Sequence, residues 1–271
     1  MKVVLLDLDG TLTKSDGGII ASVVKTSRNW VARFPTMPSL HRFIGPAIIE
    51  SLRRNHVPED ELDRAVTIYR SYYADRAVFD DPNEPGNKVP GRLVNVVFPG
   101  IREQLLKLRA DGYYLALASC KPEYQCVPIC EHFHLTELLD GIYGASRDNS
   151  RLDKDQVIRY CFDKIGFDAA AGDKAVMIGD RYTDIDAPTP AIWTHWLPLG
   201  LRSAGEMEEH GAYEIIEKPE QIEEAVNRYF QTQLKHNGED FFMMGCDGAC
   251  AAGFDLVFIG LPCCRCMRFP C

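Results

Sequence analysis

A chain of 271 residues, 46% hydrophobic and 25% charged, has apolar material for one substantial core and a second, smaller unit, and its composition is neither disordered nor fibrous. Its formal net charge of -9 disfavours broad attraction to nucleic acid or an anionic membrane, which needs clustered Lys and Arg. The apolar opening at residues 3–6 is too short for a signal-peptide core or a membrane span, so a cytoplasmic protein with reduced thiols is expected despite ten cysteines.

In chain order, residues 3–6 form a short, continuously apolar run that begins with β-branched residues, as suits a strand buried on both faces of a parallel sheet. Residues 19–77 read as consecutive helices, broken near Pro35 and Pro38 and turning again at residues 56–58. The stretch 80–91, rich in Pro, Gly, Asp and Asn, returns the chain from this inserted helical unit. A helix is then predicted over 100–110 from Ile101, Leu105 and Leu108, and strands over 113–118 and 141–143. Val157, Ile158 and Phe162 predict a helix over 154–165, and residues 175–178 a further strand. Such alternation predicts an α/β fold, a Rossmann-like open parallel sheet flanked by helices, with ligands beyond the carboxyl ends of its strands. The expected organisation is a core from 1–16 and 92–236, a helical insertion over 17–91, and a Cys-rich tail over 237–271.

Four separated pieces point to chemistry. Asp7-Leu8-Asp9-Gly10-Thr11 follows the first strand, and its two carboxylates flank a single residue. That spacing lets one attack phosphorus while the other reaches the bridging oxygen; read alone, Asp-Gly only makes a turn. Ser119, followed by Cys120, Lys121 and Pro122, comes after the strand at 113–118 and can donate to a phosphoryl oxygen or simply cap a helix. Lys154 opens a helix, as an anion-holding cation or a solvated surface lysine. Residues 179–184 supply Asp180 and Asp184 directly after a buried strand. With Asp7 they offer the oxygen ligands that a magnesium ion prefers.

In this order the four pieces resemble the haloacid dehalogenase superfamily, over about residues 1–235. The resemblance implies that Asp7 is the nucleophile and that Asp9 protonates the leaving alkoxide and then activates water. It places Thr11, Ser119, Cys120 and Lys154 around the phosphate. It places Mg2+ on Asp7, the Asp9 backbone carbonyl, Asp180 and Asp184. Dehalogenases of the superfamily lack the second Asp, so hydrolysis of a phosphomonoester is implied. The insertion resembles the small helical cap of the first type. Residues 41–46, 69–73 and 139–146 are similar to the phosphoglycolate-phosphatase and cytosolic 5'-nucleotidase-like branch.

The implied substrate is a small phosphorylated metabolite such as a nucleoside monophosphate or phosphoglycolate, with Arg42, Phe43 and Gly45 of the cap towards it. Phe43 can equally be cap core and Arg42 a solvated charge. A sugar phosphomutase is the rival reaction. A non-catalytic binding protein is the rival class, resting on Cys246, Cys250, Cys263, Cys264 and Cys266 as zinc ligands whose spacing matches no common finger. Residues 254–261 fit a strand or a partner-binding segment, and Trp193 and Trp196 depart from the small residues that the family places near the last strand.

Overall fold

The computed structural model describes residues 1–28, 40–44, 48–148, 150–187, 192–196 and 209–242, with the backbone alone at 41, 192–196 and 233–242. Gly45, Pro35, Pro38 and all the tail cysteines lie outside the described residues, as do 254–261. The chain divides into two units, 1–232 and 233–271, and the sheet and the cap both belong to the first.

Strand β1 (Lys2–Leu6) lies between β4 (Tyr114–Pro122) and β6 (Lys174–Gly179), parallel to both. Beyond β4 comes β5 (Gly141–Ala145); beyond β6 come β7 (Ile192–Trp196) and β8 (Glu214–Ile215), giving the order β5-β4-β1-β6-β7-β8. Every pair is parallel. Such a sheet must be covered on both faces, which is why its central strands are apolar without interruption. Val4, Leu6, Leu115, Leu117, Val176 and Ile178 point to one face. There they pack against α4 (Ile101–Ala110), α5 (Glu123–His132) and the start of α8 (Ile222–Phe242). Val3, Leu5, Ala116, Ala118, Ala175 and Met177 point to the other, under α6 (Lys154–Ile165).

The cap contains α1 (Asp16–Ser27), α2 (Ile48–Arg54) and α3 (Leu62–Arg70), around a core of its own that includes Ile19, Val23, Leu52, Leu62 and Tyr69. Directly after α3 comes a π-helical turn, Ser71–Asp75, in which the Arg76 N–H donates to the Ser71 carbonyl at 2.9 Å. The return stretch is more ordered than its composition predicts. It carries a small hairpin of β2 (Phe79–Asp80) and β3 (Lys88–Val89). Gly18 fixes α1 to the stretch that follows, because a Cβ there would stand 1.9 Å from the Gly91 carbonyl oxygen.

Strand β4 also differs from expectation. It continues past Ala118 through Ser119 to Pro122, because Ser119 pairs with Gly144 and Pro122 with Ala145 across a register shift. The Trp-bearing stretch forms a regular strand, with Val176 opposite Trp193 and Gly179 opposite Trp196. Among the described residues no helix is long and apolar enough to cross a membrane.

Candidate active site

The chain runs outward from β1 through β4 and β5, then returns to its other side at β6, so the carboxyl ends of β1, β4 and β6 meet where strand order reverses. The Asp7 N–H still donates to the Ile178 carbonyl at 2.9 Å, which aims the next residues off the edge of the sheet. The loop then closes on itself. The N–H groups of Leu12 and Thr13 both donate to the Leu8 carbonyl, at 3.0 and 2.9 Å, and that of Gly10 donates to the Thr13 carbonyl at 2.8 Å. Gly10 sits at φ +86, and a Cβ on it would lie 2.1 Å from Asp180 Oδ2. Only glycine lets this loop press against the carboxylate from β6.

Lys154, at the first position of α6, is buried and reaches three acceptors: Asp7 Oδ1 at 2.8 Å, Asp184 Oδ1 at 2.7 Å and the Ala118 carbonyl at 2.8 Å. Burial opposes its charge, but Asp184 and Asp7 outweigh that and hold it protonated well above the ordinary range. Asp184 also accepts the Arg181 N–H at 3.0 Å, on the short helix α7 (Tyr182–Ile185). Asp180 is buried, and among the described residues its Oδ1 has no hydrogen-bond partner. Burial, with Asp7 and Asp184 close by, pushes its pKa well up.

Oxygen atoms of Asp7, Asp180 and Asp184 lie within 4.8 Å of one another. Three carboxylates against the single ammonium of Lys154 leave a deficit of two charges when all are ionised. A divalent, oxygen-preferring cation fits that deficit and the unpartnered Asp180 oxygen.

The second carboxylate of the first motif has a different environment. Asp9 Oδ2 is 2.6 Å from Lys121 Nζ, and its Oδ1 is buried without a hydrogen-bond partner among the described residues. Lys121 also donates to the Tyr73 hydroxyl at 2.5 Å, across to the cap. Burial works against the Lys121 charge, but Asp9 and Tyr73 prevail and keep it protonated. Ser119 is buried on β4, and its hydroxyl accepts the Lys121 N–H at 3.3 Å. Thr11 is fully buried, with its hydroxyl unpartnered among the described residues. Burial raises the Cys120 thiol to about 11, with Lys154 pulling the other way, so the group at this position is a neutral thiol.

The four sequence pieces are therefore gathered at one edge of the sheet. Of the cap residues, Arg42 is exposed and Phe43 is 2% exposed, packed within the cap core. Sequence reasoning gave no role to Lys121, Tyr73 or Arg181, whose guanidinium donates to the Ile44 carbonyl of the cap at 3.2 Å. Lys121 carried a signal as a cation two residues beyond Ser119, whereas Tyr73 and Arg181 stood only inside the segments 69–73 and 179–184.

The model of the family described as haloacid dehalogenase-like hydrolase matches residues 4–191. A 5'-nucleotidase of Pseudomonas aeruginosa is 32% identical over 183 residues, covering 67% of this chain and 75% of that protein. Tyrosine-protein kinase PtkA of Mycobacterium tuberculosis is 31% identical over 185 residues; these span 68% of this chain and 57% of the relative's length. Among solved structures, a predicted phosphatase from Clostridium acetobutylicum superposes with a TM-score of 0.71 at 29% identity, over 84% of this chain and 98% of that one. The match, the sheet order and the gathered motifs agree: the chain belongs to the haloacid dehalogenase-like hydrolases.

Proposed function

We propose that the protein is a magnesium-dependent phosphatase that hydrolyses a small phosphomonoester through a phosphoaspartate on Asp7. The observation that carries this reading is the buried carboxylate set of Asp7, Asp180 and Asp184 around Lys154, a nucleophile held in place beside an uncompensated negative site. Asp7, Asp180, Asp184 and the Asp9 carbonyl would hold the ion, which when bound offsets charge on the phosphoryl oxygens.

Lys154 fixes the Asp7 carboxylate by its Oδ1 and keeps it from rotating out of line. An Asp7 oxygen attacks phosphorus, the ester P–O bond breaks, and the leaving alkoxide takes a proton from Asp9. Asp9, now a carboxylate, removes a proton from water, whose oxygen attacks the same phosphorus. The Asp7–phosphorus bond breaks, and inorganic phosphate leaves. Thr11 and Ser119 hydroxyls and the backbone at Cys120 stabilise the phosphoryl oxygens; the unpartnered Thr11 hydroxyl supports this role.

The cap, over residues 17–91, selects the leaving group, and a nucleoside monophosphate is the preferred class, ahead of phosphoglycolate. The relative named as a 5'-nucleotidase supports that preference. Phosphate release from a panel of both classes, with magnesium and with chelator, tests it. Asp7→Asn and Asp9→Asn should each lower kcat by about 10³-fold or more. Acid quenching should trap labelled phosphate on the wild type but not on Asp7→Asn. Wild-type turnover by Asp7→Asn would end the phosphoaspartate reading; label kept in an isomerised sugar phosphate, with little free phosphate, would replace hydrolysis by mutase chemistry.

A further inference from the structure

Asp9 is held by a residue that the reaction itself does not require. Its Oδ2 meets Lys121 Nζ at 2.6 Å, with the two side chains only 9% and 16% exposed. The same ammonium lies 2.5 Å from the Tyr73 hydroxyl and 5.1 Å from the centre of that ring. Tyr73 stands on the π-helical turn of the cap, stacked on Tyr69 with ring centres 5.4 Å apart and planes at 12°. This leaves Asp9 Oδ1, which has no hydrogen-bond partner among the described residues, as the oxygen available for proton transfer.

We propose that Lys121 is a positioning residue for Asp9, and that Tyr73 seats Lys121, so that the cap contributes a contact that orients the acid–base carboxylate. The inference rests on Asp9 acting as proposed above. Lys121 alone can swing between acceptors on its flexible stem; a hydroxyl from the cap and a carboxylate from the core fix it at two points. Asp9 is then tied by one oxygen and presents the other. When the cap lifts, Tyr73 departs and the carboxylate loses part of its restraint, which couples proton transfer to cap closure.

Burst kinetics separates this from a general structural role. With p-nitrophenyl phosphate the leaving group needs no proton, so phosphorylation of Asp7 releases nitrophenolate without Asp9, whereas the second half-reaction still needs it. Under saturating magnesium, Lys121→Met should keep the nitrophenolate burst while steady-state kcat falls about 10²-fold, the size of a lost acid–base contribution. An alkyl phosphomonoester should lose its fast first step as well. The double variant Asp9→Asn/Lys121→Met should be no slower than Asp9→Asn, because the two act as one unit. Tyr73→Phe should show the same pattern with a smaller loss.

Loss of the burst in Lys121→Met, a wild-type kcat, or multiplying losses in the double variant would overturn the assignment. Should thermal melting show Lys121→Met unfolded, Tyr73→Phe carries the test, and wild-type turnover there removes the link to the cap. An inactive Asp7→Asn beside a fully active Lys121→Met sinks this inference alone; an active Asp7→Asn sinks the phosphoaspartate reading instead.

Discussion

At Gly10 a single hydrogen in place of a methyl group lets the first motif approach the last. Gly10→Ala would meet Asp180 Oδ2 at 2.1 Å and would also hold an L side chain at φ +86. The backbone strain alone costs about 1–2 kcal/mol, and the clash about 1–3 kcal/mol more. Urea unfolding should therefore shift to a lower midpoint, and phosphatase activity should vanish even in the folded fraction, since Asp180 must move. Asp7, Asp9, Lys154, Asp180 and Asp184 were legible in the sequence because the chemistry fixes their type and order. Tyr73 was not. An aromatic residue at helical spacing reads as packing, and Tyr73 does pack; only its hydroxyl, placed by the fold against Lys121, has another use. Lys121 was visible as a residue but not as a partner of Asp9, because their 112-residue separation is bridged in space by the pairing of β1 with β4.

At the scale of elements, α6 positions Lys154 by starting where it does. Gln156 reaches back to accept the N–H groups of Leu152 and Asp153, at 2.7 and 3.2 Å, closing the helix start with Asp153 in a reciprocal cap. Gln156→Ala should cost about 1 kcal/mol, a fall of about 2–4 °C in Tm, and should also lower kcat by loosening the turn that holds Lys154. A scanning melt and a rate measurement on the same sample check both. The helix was plain in the sequence from its apolar period, as were β1 and β6 from their unbroken apolar runs. The end of β4 was not. Ser119, Cys120 and Lys121 look like a loop, and they remain in the strand because β5 offers partners at Gly144 and Ala145. The hairpin of β2 and β3 was likewise hidden by turn-forming composition, since strands of two residues have no period to read.

At the scale of the molecule, the sheet order brings segments from residue 7 to residue 184 to one edge, and the cap leaves the chain between the first motif and the second. The alternation of helix and strand made the α/β core legible, whereas how the cap rests on it depends on side chains such as Arg181 and Lys121 that no periodicity marks. A site with three carboxylates to one lysine should be stabilised by a divalent cation. Magnesium at 100 times its Kd adds about 2.7 kcal/mol, or roughly 5–10 °C in Tm. Asp180→Asn should abolish most of that shift while melting at a similar temperature without magnesium, a comparison that needs no turnover at all.

The π-helical turn after α3 is in effect a phase change. Taking out Ser71 or Tyr72 would restore the ordinary 3.6-residue period and turn Tyr73 and everything after it by about 100° relative to α3. The phenol that now meets Lys121 would rotate off it, although no residue of the core had been touched. A length change of one in this stretch, rather than a change of residue type, is thus enough to uncouple a cap from its catalytic floor.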